Sequence, residues 1–298
     1  MQNWIYFVLI AQGIWSITSL IDKIVISKGY IKNPLVYIVF NGLMNVFLIF
    51  LLPFVDFELL KFTDFLIASL SGAVFSISVA VYYKAVEYED ISKIIMLSQL
   101  MPIFVLVLSF LFLGEILTRN HLLGFAFLLT AGAIVSYRKT ENFGLGKAFY
   151  LMLISAFLAA VSSVSAKHIY NAAGFWSAFI WIRLASFSAL FVLFVPSIKN
   201  QFYETFRRMK IKITGLLIFK MIIDFSAFIF AGYALLSGAV SLVIVLASSL
   251  TPLFIFILTL FTSIYFPKII SEDINKKSII TKLLAIILII TGIIFVSI

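Results

Sequence analysis

The chain contains no cysteine and has few charged residues for its length. Without cysteine, disulfide bonds and thiol chemistry are excluded. Charged residues make up 12% and hydrophobic residues 63% of the 298 positions, whereas soluble domains are about 25% charged and about 45–50% apolar. This composition excludes an ordinary soluble domain and is typical of a helical membrane protein.

Acidic residues and histidines are also scarce. The two histidines, His121 and His168, are isolated in the sequence, and no metal-ligand cluster or nucleophile–base set accompanies them. No Walker A pattern is present, so ATP is not expected to be a direct energy source. The net charge of +9 comes from lysines and arginines that lie mostly in loops between apolar runs. We therefore expect no metal, no cofactor and no nucleic-acid partner, and we interpret the basic residues as topology signals.

Ten apolar runs separated by polar breaks predict ten membrane-spanning helices. Each run is long enough, or nearly so, to cross about 30 Å of hydrocarbon at about 1.5 Å per residue. The predicted fold class is thus an all-α integral membrane protein. The predicted spans lie near residues 4–26, 34–53, 64–84, 91–113, 121–137, 148–169, 175–196, 213–235, 240–265 and 282–298.

The two halves of the chain resemble each other. Residues 82–108 align without gaps to residues 232–258, with matched tyrosine, serine and proline positions. Because each half has an odd number of spans, two units in series must cross the membrane in opposite senses, as the inverted repeats of secondary transporters do. We predict two five-helix repeats, residues 1–140 and 145–298. The matched pairs are Tyr83 with Tyr233, Ser98 with Ser248, and Pro102 with Pro252.

Two stretches carry a resemblance to a known family. Residues 82–136 contain a Tyr-x-Ala pattern, a proline, Leu-Gly-Glu, Leu-Thr and a glycine-containing last helix, and WSITSLIDK (15–23) has a tryptophan followed by a lysine. In these features the chain resembles the EamA-type branch of the drug/metabolite transporter superfamily. The resemblance implies a transporter of ten helices with cytoplasmic termini. The second half departs from the pattern, since residues 262–265 read TSIY where Leu-Gly-Glu would recur.

The distribution of basic residues predicts the opposite orientation. Lysines and arginines concentrate in loops after odd-numbered spans, and loops after even-numbered spans carry chiefly Lys61 and Arg119. The positive-inside rule then places the basic loops in the cytoplasm and both termini outside. We predict a multi-pass protein of the plasma membrane and leave both orientations open.

Ionisable residues within the later spans are the main candidates for a functional site. Lys220 and Asp224 share a helix face at positions i and i+4, and Arg183 is similarly deep in the seventh span, with Asn41 near its counterpart position in the first half. Because charges facing lipid are costly, we expect these groups to line a polar central cavity, where they bind a charged substrate or a coupling proton. The alternative is a self-neutralising salt bridge that only fixes helix packing.

Other charged residues lie nearer the ends of the predicted spans. Asp22 and Lys23 could either snorkel to the interface or have a function, and snorkelling is favoured for Lys167. The family pattern implies a role for Glu115, which could cap the fifth span or pair with a basic group across the repeat interface. We group these four residues as structural or gating positions.

Neutral polar residues flank the two matched prolines. Pro102 and Pro252 each remove one backbone hydrogen bond, and the freed carbonyl is expected to find polar partners or water, most naturally at a cavity. We therefore add these residues to the candidates: the prolines as moving elements, and their neighbours and three aromatic side chains as substrate-binding. The alternative for the neighbours is ordinary helix–helix contact, and for the aromatics it is packing. The added substrate-binding candidates are Ser98, Gln99, Ser248, Ser249, Tyr83, Tyr233 and Trp15.

These observations predict a secondary transporter or facilitator of small metabolites, with membrane lipid as its surroundings. The excess of cations among the candidates favours an anionic or zwitterionic substrate, and a proton or another ion could be coupled. A lipid flippase or an accessory membrane subunit is the alternative that the same architecture allows. An integral membrane enzyme is the third reading, and it is the one that the isolated histidines favour least.

Overall fold

The computed structural model describes residues 3–27, 29–31, 33–89, 91–136, 146–265 and 276–298. None of these residues forms a β-strand, and they build twelve α-helices and two 3-10 segments. The α-helices are α1 (Asn3–Ser27), α2 (Pro34–Leu43), α3 (Phe62–Val86), α4 (Ile91–Ser98), α5 (Met101–Leu113), α6 (Arg119–Ser136), α7 (Lys147–Ala172), α8 (Phe175–Ala185), α9 (Pro196–Arg208), α10 (Ile211–Ser237), α11 (Val240–Tyr265) and α12 (Lys276–Ser297). The 3-10 segments are Met44–Phe54, after α2, and Ser186–Phe194, after α8.

All ten predicted spans coincide with helical stretches. In the described residues, seven helices are long and apolar enough to cross a membrane. The chain is therefore an all-helical, multi-pass membrane protein. The basic segment between the seventh and eighth predicted spans forms a separate amphipathic helix, α9.

Three predicted spans are less regular than continuous α-helices: the second and the seventh contain the 3-10 segments, and the fourth is broken. The fourth predicted span is interrupted at Gln99 and Leu100, where α4 ends and α5 begins. Pro102 lies in the first turn of α5, where its missing N–H leaves no helical hydrogen bond unmade. At the other end of α5, Gly114 adopts a φ of 66° and ends the helix in the left-handed conformation that glycine tolerates.

Helices α3 and α7 form a tight antiparallel pair that joins the two halves of the chain. Ser71 and Ser162 each donate a side-chain hydrogen bond of 2.9 Å to the other's backbone carbonyl. Ser78 and Ser155 repeat this reciprocal arrangement two turns further along, again at 2.9 Å. Small polar side chains allow the two backbones to approach closely and to share hydrogen bonds in an apolar surrounding.

Helices α6 and α12 also pack closely, at glycine positions. A Cβ atom placed on Gly124 would lie 2.8 Å from the carbonyl oxygen of Gly292 and 2.5 Å from a side-chain carbon of Val296. Only glycine fits such an approach of two helix backbones. This contact joins the last helix of each half.

One end of the bundle is defined by polar contacts between helix termini. Glu115, after α5, accepts hydrogen bonds from the backbone N–H of Val240 at 2.8 Å and of Ser241 at 3.4 Å. Lys167 donates to the carbonyl oxygens of Leu235 and Leu236 at 2.7 and 3.1 Å. Both side chains satisfy backbone groups that helix termini leave unpaired. We call this the Glu115 end.

Candidate functional site

A cavity of about 560 Å³ lies between helices of the two halves. Helices α1 and α3 line it from the first half, together with α2 and the 3-10 segment that follows. Helices α8 and α10 line it from the second half. Its walls are mostly apolar, with a few charged and hydroxyl groups, as is usual for small-molecule sites. The charged lining residues are Asp22, Arg183, Lys220 and Asp224.

Lys220 is the centre of a three-residue ion cluster. Its ammonium lies 2.7 Å from a carboxylate oxygen of Asp224 and 3.3 Å from one of Asp22. The predicted i,i+4 pair on α10 is thus present, and Asp22 of α1 completes it across the interface between the halves. Tyr37 of α2 donates a hydrogen bond to Asp22, and its ring lies 5.1 Å from the Lys220 ammonium. Lys220 is almost fully buried, whereas Asp22 keeps 30% of its side chain exposed.

The cavity wall formed by α1 is a stripe of polar and aromatic residues at helical spacing. Trp15, Thr18, Ser19 and Asp22 occupy positions i, i+3, i+4 and i+7, so they lie on one face of the helix. Both hydroxyl groups donate to the backbone carbonyl of Trp15. The Trp15 ring packs edge-on against Phe228 of α10, with centroids 5.1 Å apart. Trp15 therefore lies at the cavity.

Arg183 lines the cavity from the second half, in the last turn of α8. Its guanidinium carbon lies 3.7 Å from the centre of the Phe228 ring and 5.8 Å from that of Phe75, which is cation–π geometry. Among the described residues, no carboxylate lies within ion-pair distance of Arg183. The arginine is thus held by aromatic faces, and its charge is directed at the cavity rather than matched by an acidic side chain.

An aromatic stack lies between the cavity and the Glu115 end. Phe175 and Tyr233 stack with centroids 3.9 Å apart and planes 8° from parallel. Tyr170 and Phe179 flank Phe175 at 5.6 and 5.7 Å, and Phe7 of α1 lies 5.6 Å from Tyr233. These rings join α1, α7, α8 and α10 on that side of the cavity. Tyr233, predicted to bind substrate, lies in this stack and does not line the cavity.

Other predicted substrate ligands also lie outside the cavity. Tyr83 packs against Tyr82, with ring centroids 5.4 Å apart. The hydroxyl groups of Ser98, Ser248 and Ser249 bond to carbonyls of their own helices. None of these side chains, nor that of Gln99, contributes to the cavity wall.

The prediction that the proline-freed carbonyls open onto a cavity needs correction. Pro252 lies inside the continuous helix α11, so the carbonyl of Ser248 loses its helical partner. The side-chain amide of Gln99, from the other half, donates to this oxygen at 3.3 Å. The freed carbonyl therefore has a polar partner, as expected, but this partner is a side chain of the other half and does not line the cavity.

The predictions for the charged residues near the ends of the predicted spans also need correction. Lys167 does not snorkel, because it is only 8% exposed and its ammonium is occupied by the carbonyls that end α10. Asp22 does not point to an interface either, since Lys220 holds it at the cavity. Glu115 caps α11 of the other half rather than the fifth predicted span, where Thr118 accepts a hydrogen bond from the backbone N–H of His121.

Two predicted residues cannot be placed in the site. The backbones of Lys23 and Asn41 belong to α1 and α2, but their side chains lie outside the described part of the structure. Within the described residues, no group of three histidine, cysteine, aspartate or glutamate side chains is close enough to hold a metal ion.

The sequence reading missed several residues that line the cavity. These include Tyr37 beside Asp22, Phe75 and Phe228 around Arg183, and the hydroxyl groups of α1. The stripe on α1 was detectable, because its spacing is that of one helix face. The aromatic partners of Arg183 were not, since nothing in their local sequence distinguishes them from the other phenylalanines.

Comparison with known proteins bears on the fold and on the family resemblance of the first half. A search of curated proteins found no match. One crystal structure of a protein is similar to 99% of this chain and 95% of its own, with a TM-score of 0.69 and 16% identity. At this identity the likeness shows a shared fold and nothing about activity. The model of the EamA-like transporter family matches residues 2–137, which contain α1 to α6. Residues 2–137 thus match a family of the drug/metabolite transporter superfamily, as the motifs predicted.

Proposed function

We propose that the protein is a secondary transporter of small metabolites and that substrate binds in the cavity between its halves. The observation that carries this proposal is the Lys220 cluster, in which two carboxylates and an ammonium from both halves meet at the wall of a 560 Å³ cavity. Buried ionisable groups in membrane proteins are costly and typically mark a substrate or ion pathway.

The directions of the helices support two inverted five-helix repeats, residues 1–140 and 145–298. Helix α3 ends at residue 86, and α4 and α5 lead from there to Glu115, which contacts Val240. Its sequence counterpart, α10, ends at residue 237, directly beside that contact. Aligned segments of the two halves therefore point in opposite directions, which is the arrangement from which alternating access arises.

Packing between the halves supports the same proposal. Helix α1 contacts α10 and α11, and in the matching way α7 contacts α3 and α5. Helices α6 and α12, the last of each half, contact each other. These exchanged contacts are those expected of two similar units related by a pseudo-two-fold axis. In the described conformation the aromatic stack and the Glu115 contacts close one side of the cavity. Transport requires these contacts to separate while the opposite side closes.

The ion cluster is also suited to carry a coupling ion. Lys220 is shared by a carboxylate on its own helix and one on α1, so relative movement of these helices would change its pairing. A carboxylate that lost the lysine would take up a proton or bind a cation. Asp22, the more exposed of the two, is the group we assign to this exchange.

We further propose that the protein lies in the plasma membrane with the Glu115 end facing outward. Trp4 at the start of α1 contacts Gly238 at the Glu115 end, and basic α9 precedes α10 at the opposite end. Cytoplasmic placement of the basic loops then puts both termini outside.

Transport can be tested in proteoliposomes with radiolabelled amino acids, organic acids and amines, measured as uptake and as counterflow with and without a pH gradient. We expect saturable counterflow for one of these classes. The variants Asp22→Asn and Asp224→Asn should reduce the rate at least about tenfold and alter its pH dependence. Arg208→Gln, an exposed change on α9, is the matched control and should transport as the original protein does.

Two results would contradict the proposal. One is the absence of counterflow for every class when the reconstituted protein is folded. The other is unchanged transport and unchanged pH dependence in both Asp22→Asn and Asp224→Asn, which would remove the coupling role of the cluster. Movement of headgroup-labelled lipid by the same vesicles, without solute counterflow, would establish a flippase instead.

A further inference from the structure

Helix α9 connects two membrane-spanning stretches on one side of the bilayer. The stretch before it, Phe175–Phe194, and α10 after it are each long and apolar enough to cross a membrane. Phe194 is 81% exposed and Ile211, the first residue of α10, is 88% exposed, and in a membrane such apolar side chains face lipid. Both ends of α9 therefore lie at the membrane surface, and the helix between them runs along that surface.

One side of α9 is fixed against the helix bundle. Ile198 is buried, and Phe202, one turn further, packs against Phe40 of α2 with ring centroids 5.0 Å apart. The side-chain amide of Asn33 donates a hydrogen bond of 2.8 Å to the side-chain oxygen of Gln201. Helix α9 is thus docked on the first half of the chain, and its remaining sides present a preformed surface.

An adjacent side of α9 combines exposed aromatic rings with basic groups. Lys199, Tyr203 and Phe206 occupy positions i, i+4 and i+7, and Arg207 follows directly. All four side chains are exposed, the two rings by 55% and 60%. We call these four residues the basic–aromatic face. At 3.6 residues per turn, this face lies about 100° around the helix from the side that is packed on the bundle.

The cations of this region have no acidic partner in the described structure. Lys210, exposed between α9 and α10, adds a third positive charge to those of Lys199 and Arg207. Among the described residues, none of these three cations lies within ion-pair distance of a carboxylate. Glu204, the acidic residue of α9, lies on the remaining side of the helix and pairs with Arg208 at 3.5 Å.

We propose that α9 is a membrane-surface anchor, and that its basic–aromatic face and Lys210 bind the headgroups of anionic phospholipids. Aromatic rings prefer the headgroup level of a bilayer, and lysine and arginine bind phosphate oxygens there. In this arrangement α9 lies in the corner between the bundle and the membrane, and the Glu204–Arg208 pair faces water. A zwitterionic headgroup carries its own ammonium, which the three cations repel, so the site prefers a lipid of net negative charge.

Lipid binding can be measured on the purified full chain without a transport assay. Native mass spectrometry from detergent micelles resolves individual bound lipids, and phosphatidylglycerol is compared with phosphatidylcholine of the same acyl chains. We expect phosphatidylglycerol to bind at least about tenfold more tightly, because each cation near an anionic headgroup contributes to the attraction. The soluble headgroup glycerophosphoglycerol should compete weakly, since it lacks the acyl chains that hold the lipid beside the rings.

Two variants that lose the same charge assign the site. The first replaces the three unpaired cations: Lys199→Gln, Arg207→Gln and Lys210→Gln. The control replaces three exposed basic residues elsewhere on the surface: Lys61→Gln, Arg119→Gln and Arg208→Gln. The first should reduce the lipid preference to less than about threefold, and the control should keep it. Circular dichroism and melting curves show whether each variant is folded, and the charge-keeping exchange Lys199→Arg, Arg207→Lys and Lys210→Arg should retain the preference.

The position of α9 at the membrane has an independent test, because the chain contains no cysteine and a single one can carry a fluorophore. In vesicles that contain phosphatidylglycerol, a lipid with a nitroxide on its headgroup should quench a label on Tyr203→Cys strongly. A label on Ser197→Cys, an exposed position on the side of Glu204, should be quenched much less.

Four results would overturn the anchor. They are equal affinity for the two lipids in the original chain, full preference in the variant without the three cations, an equal loss in the control, and equal quenching at the two labelled positions. Tight binding of the soluble headgroup alone would also overturn it, because the site would then hold a small anion rather than a lipid. None of these measurements depends on the proposed transport function.

Discussion

Lys220 supplies the positive charge of the buried ion cluster. It is only 4% exposed, and its ammonium separates Asp22 from Asp224. Lys220→Met would leave two carboxylates facing each other without a cation. Because removing one partner of a buried ion pair is far more costly than replacing all of them by neutral groups, we expect a loss of about 3 kcal/mol in the free energy of unfolding.

The matched comparison is the triple variant Lys220→Met, Asp22→Asn, Asp224→Asn. It should be more stable than the single variant, although it lacks the same lysine, and it should not transport. Unfolding in mixed detergent micelles gives the free energies for both proteins. A single variant as stable as the original chain would show that Lys220 does not hold the two carboxylates together.

Glu115, a residue of the first half, caps the start of helix α11 in the second half. It accepts from the backbone N–H groups of Val240 and Ser241 and from the Ser241 hydroxyl, the last at 3.1 Å. Glu115→Ala leaves these donors unpaired at the start of α11. We expect a loss of about 1–2 kcal/mol, as for other N-cap deletions. Glu115→Gln, which keeps an acceptor oxygen, should lose less.

The control for Glu115 is Glu204→Ala. Glu204 forms an exposed ion pair with Arg208 on α9, and such pairs contribute little to stability. Comparable melting temperatures for the two alanine variants would mean that the cap on α11 is not stabilising. A gating role for Glu115 would be visible as faster counterflow or altered side-specific labelling in Glu115→Gln.

At the scale of elements, the α3–α7 pair differs from the α1–α10 pair. Both join the halves, but α3 and α7 are linked by reciprocal serine bonds, whereas α1 and α10 enclose the cavity. Transport requires some interfaces to change and others to persist. We assign α3 and α7 to the part that persists, because each serine bond would have to break in an apolar surrounding for the pair to separate.

The single variants Ser71→Ala and Ser162→Ala test this assignment. Each removes one hydroxyl that donates to the backbone carbonyl of the other serine, so we expect each to lower the free energy of unfolding by about 0.6 kcal/mol, the size usual for hydrogen bonds between membrane helices. Ser163→Ala is the matched control on the same helix, since its hydroxyl bonds only to the carbonyl of Ala159. Losses for Ser71→Ala and Ser162→Ala no larger than the loss for Ser163→Ala would show that the serines do not join the helices.

Helix positions were largely predictable from the sequence, whereas helix irregularities were not. Long apolar runs with polar breaks located all ten stretches. The 3-10 turns and the break at Gln99 depend on how neighbouring helices pack, which hydropathy does not register. Lys167 illustrates the same limit. Its position near the end of a predicted span suggested snorkelling, whereas its ammonium in fact donates to carbonyls of α10.

At the scale of the molecule, the sequence predicted the kind of site better than it predicted which residues line that site. Lys220, Asp224 and Arg183 were identified because charge is unusual in a membrane helix, and all three line the cavity. Trp15, proposed as an aromatic ring that could stack on a ligand, lines it as well. The serines were proposed because they flank the matched prolines, and Tyr83 and Tyr233 because aromatic rings can stack on a ligand. In the structure the serine hydroxyl groups bond within their helices and the two tyrosines pack against other rings.

The opposite orientation of the halves has a direct test, because the chain has no cysteine and gives no labelling background. Glu87 and Ser237 occupy aligned positions after α3 and α10, and both are exposed. In vesicles of known sidedness, a membrane-impermeant maleimide should label Glu87→Cys and Ser237→Cys from opposite sides of the membrane. Arg119→Cys, close in sequence to Glu115, should share the side of Ser237→Cys.

The same vesicles decide which end faces outward. If the basic loops are cytoplasmic, Ser237→Cys is labelled from outside and Glu87→Cys from inside, because α9 and the loop after α3 lie at the end opposite Glu115. The reversed pattern would refute the charge-based orientation and keep the inverted repeat. Labelling of both positions from one side would refute the repeat itself. Two halves that point the same way could not exchange helix contacts across a pseudo-two-fold axis in the membrane plane.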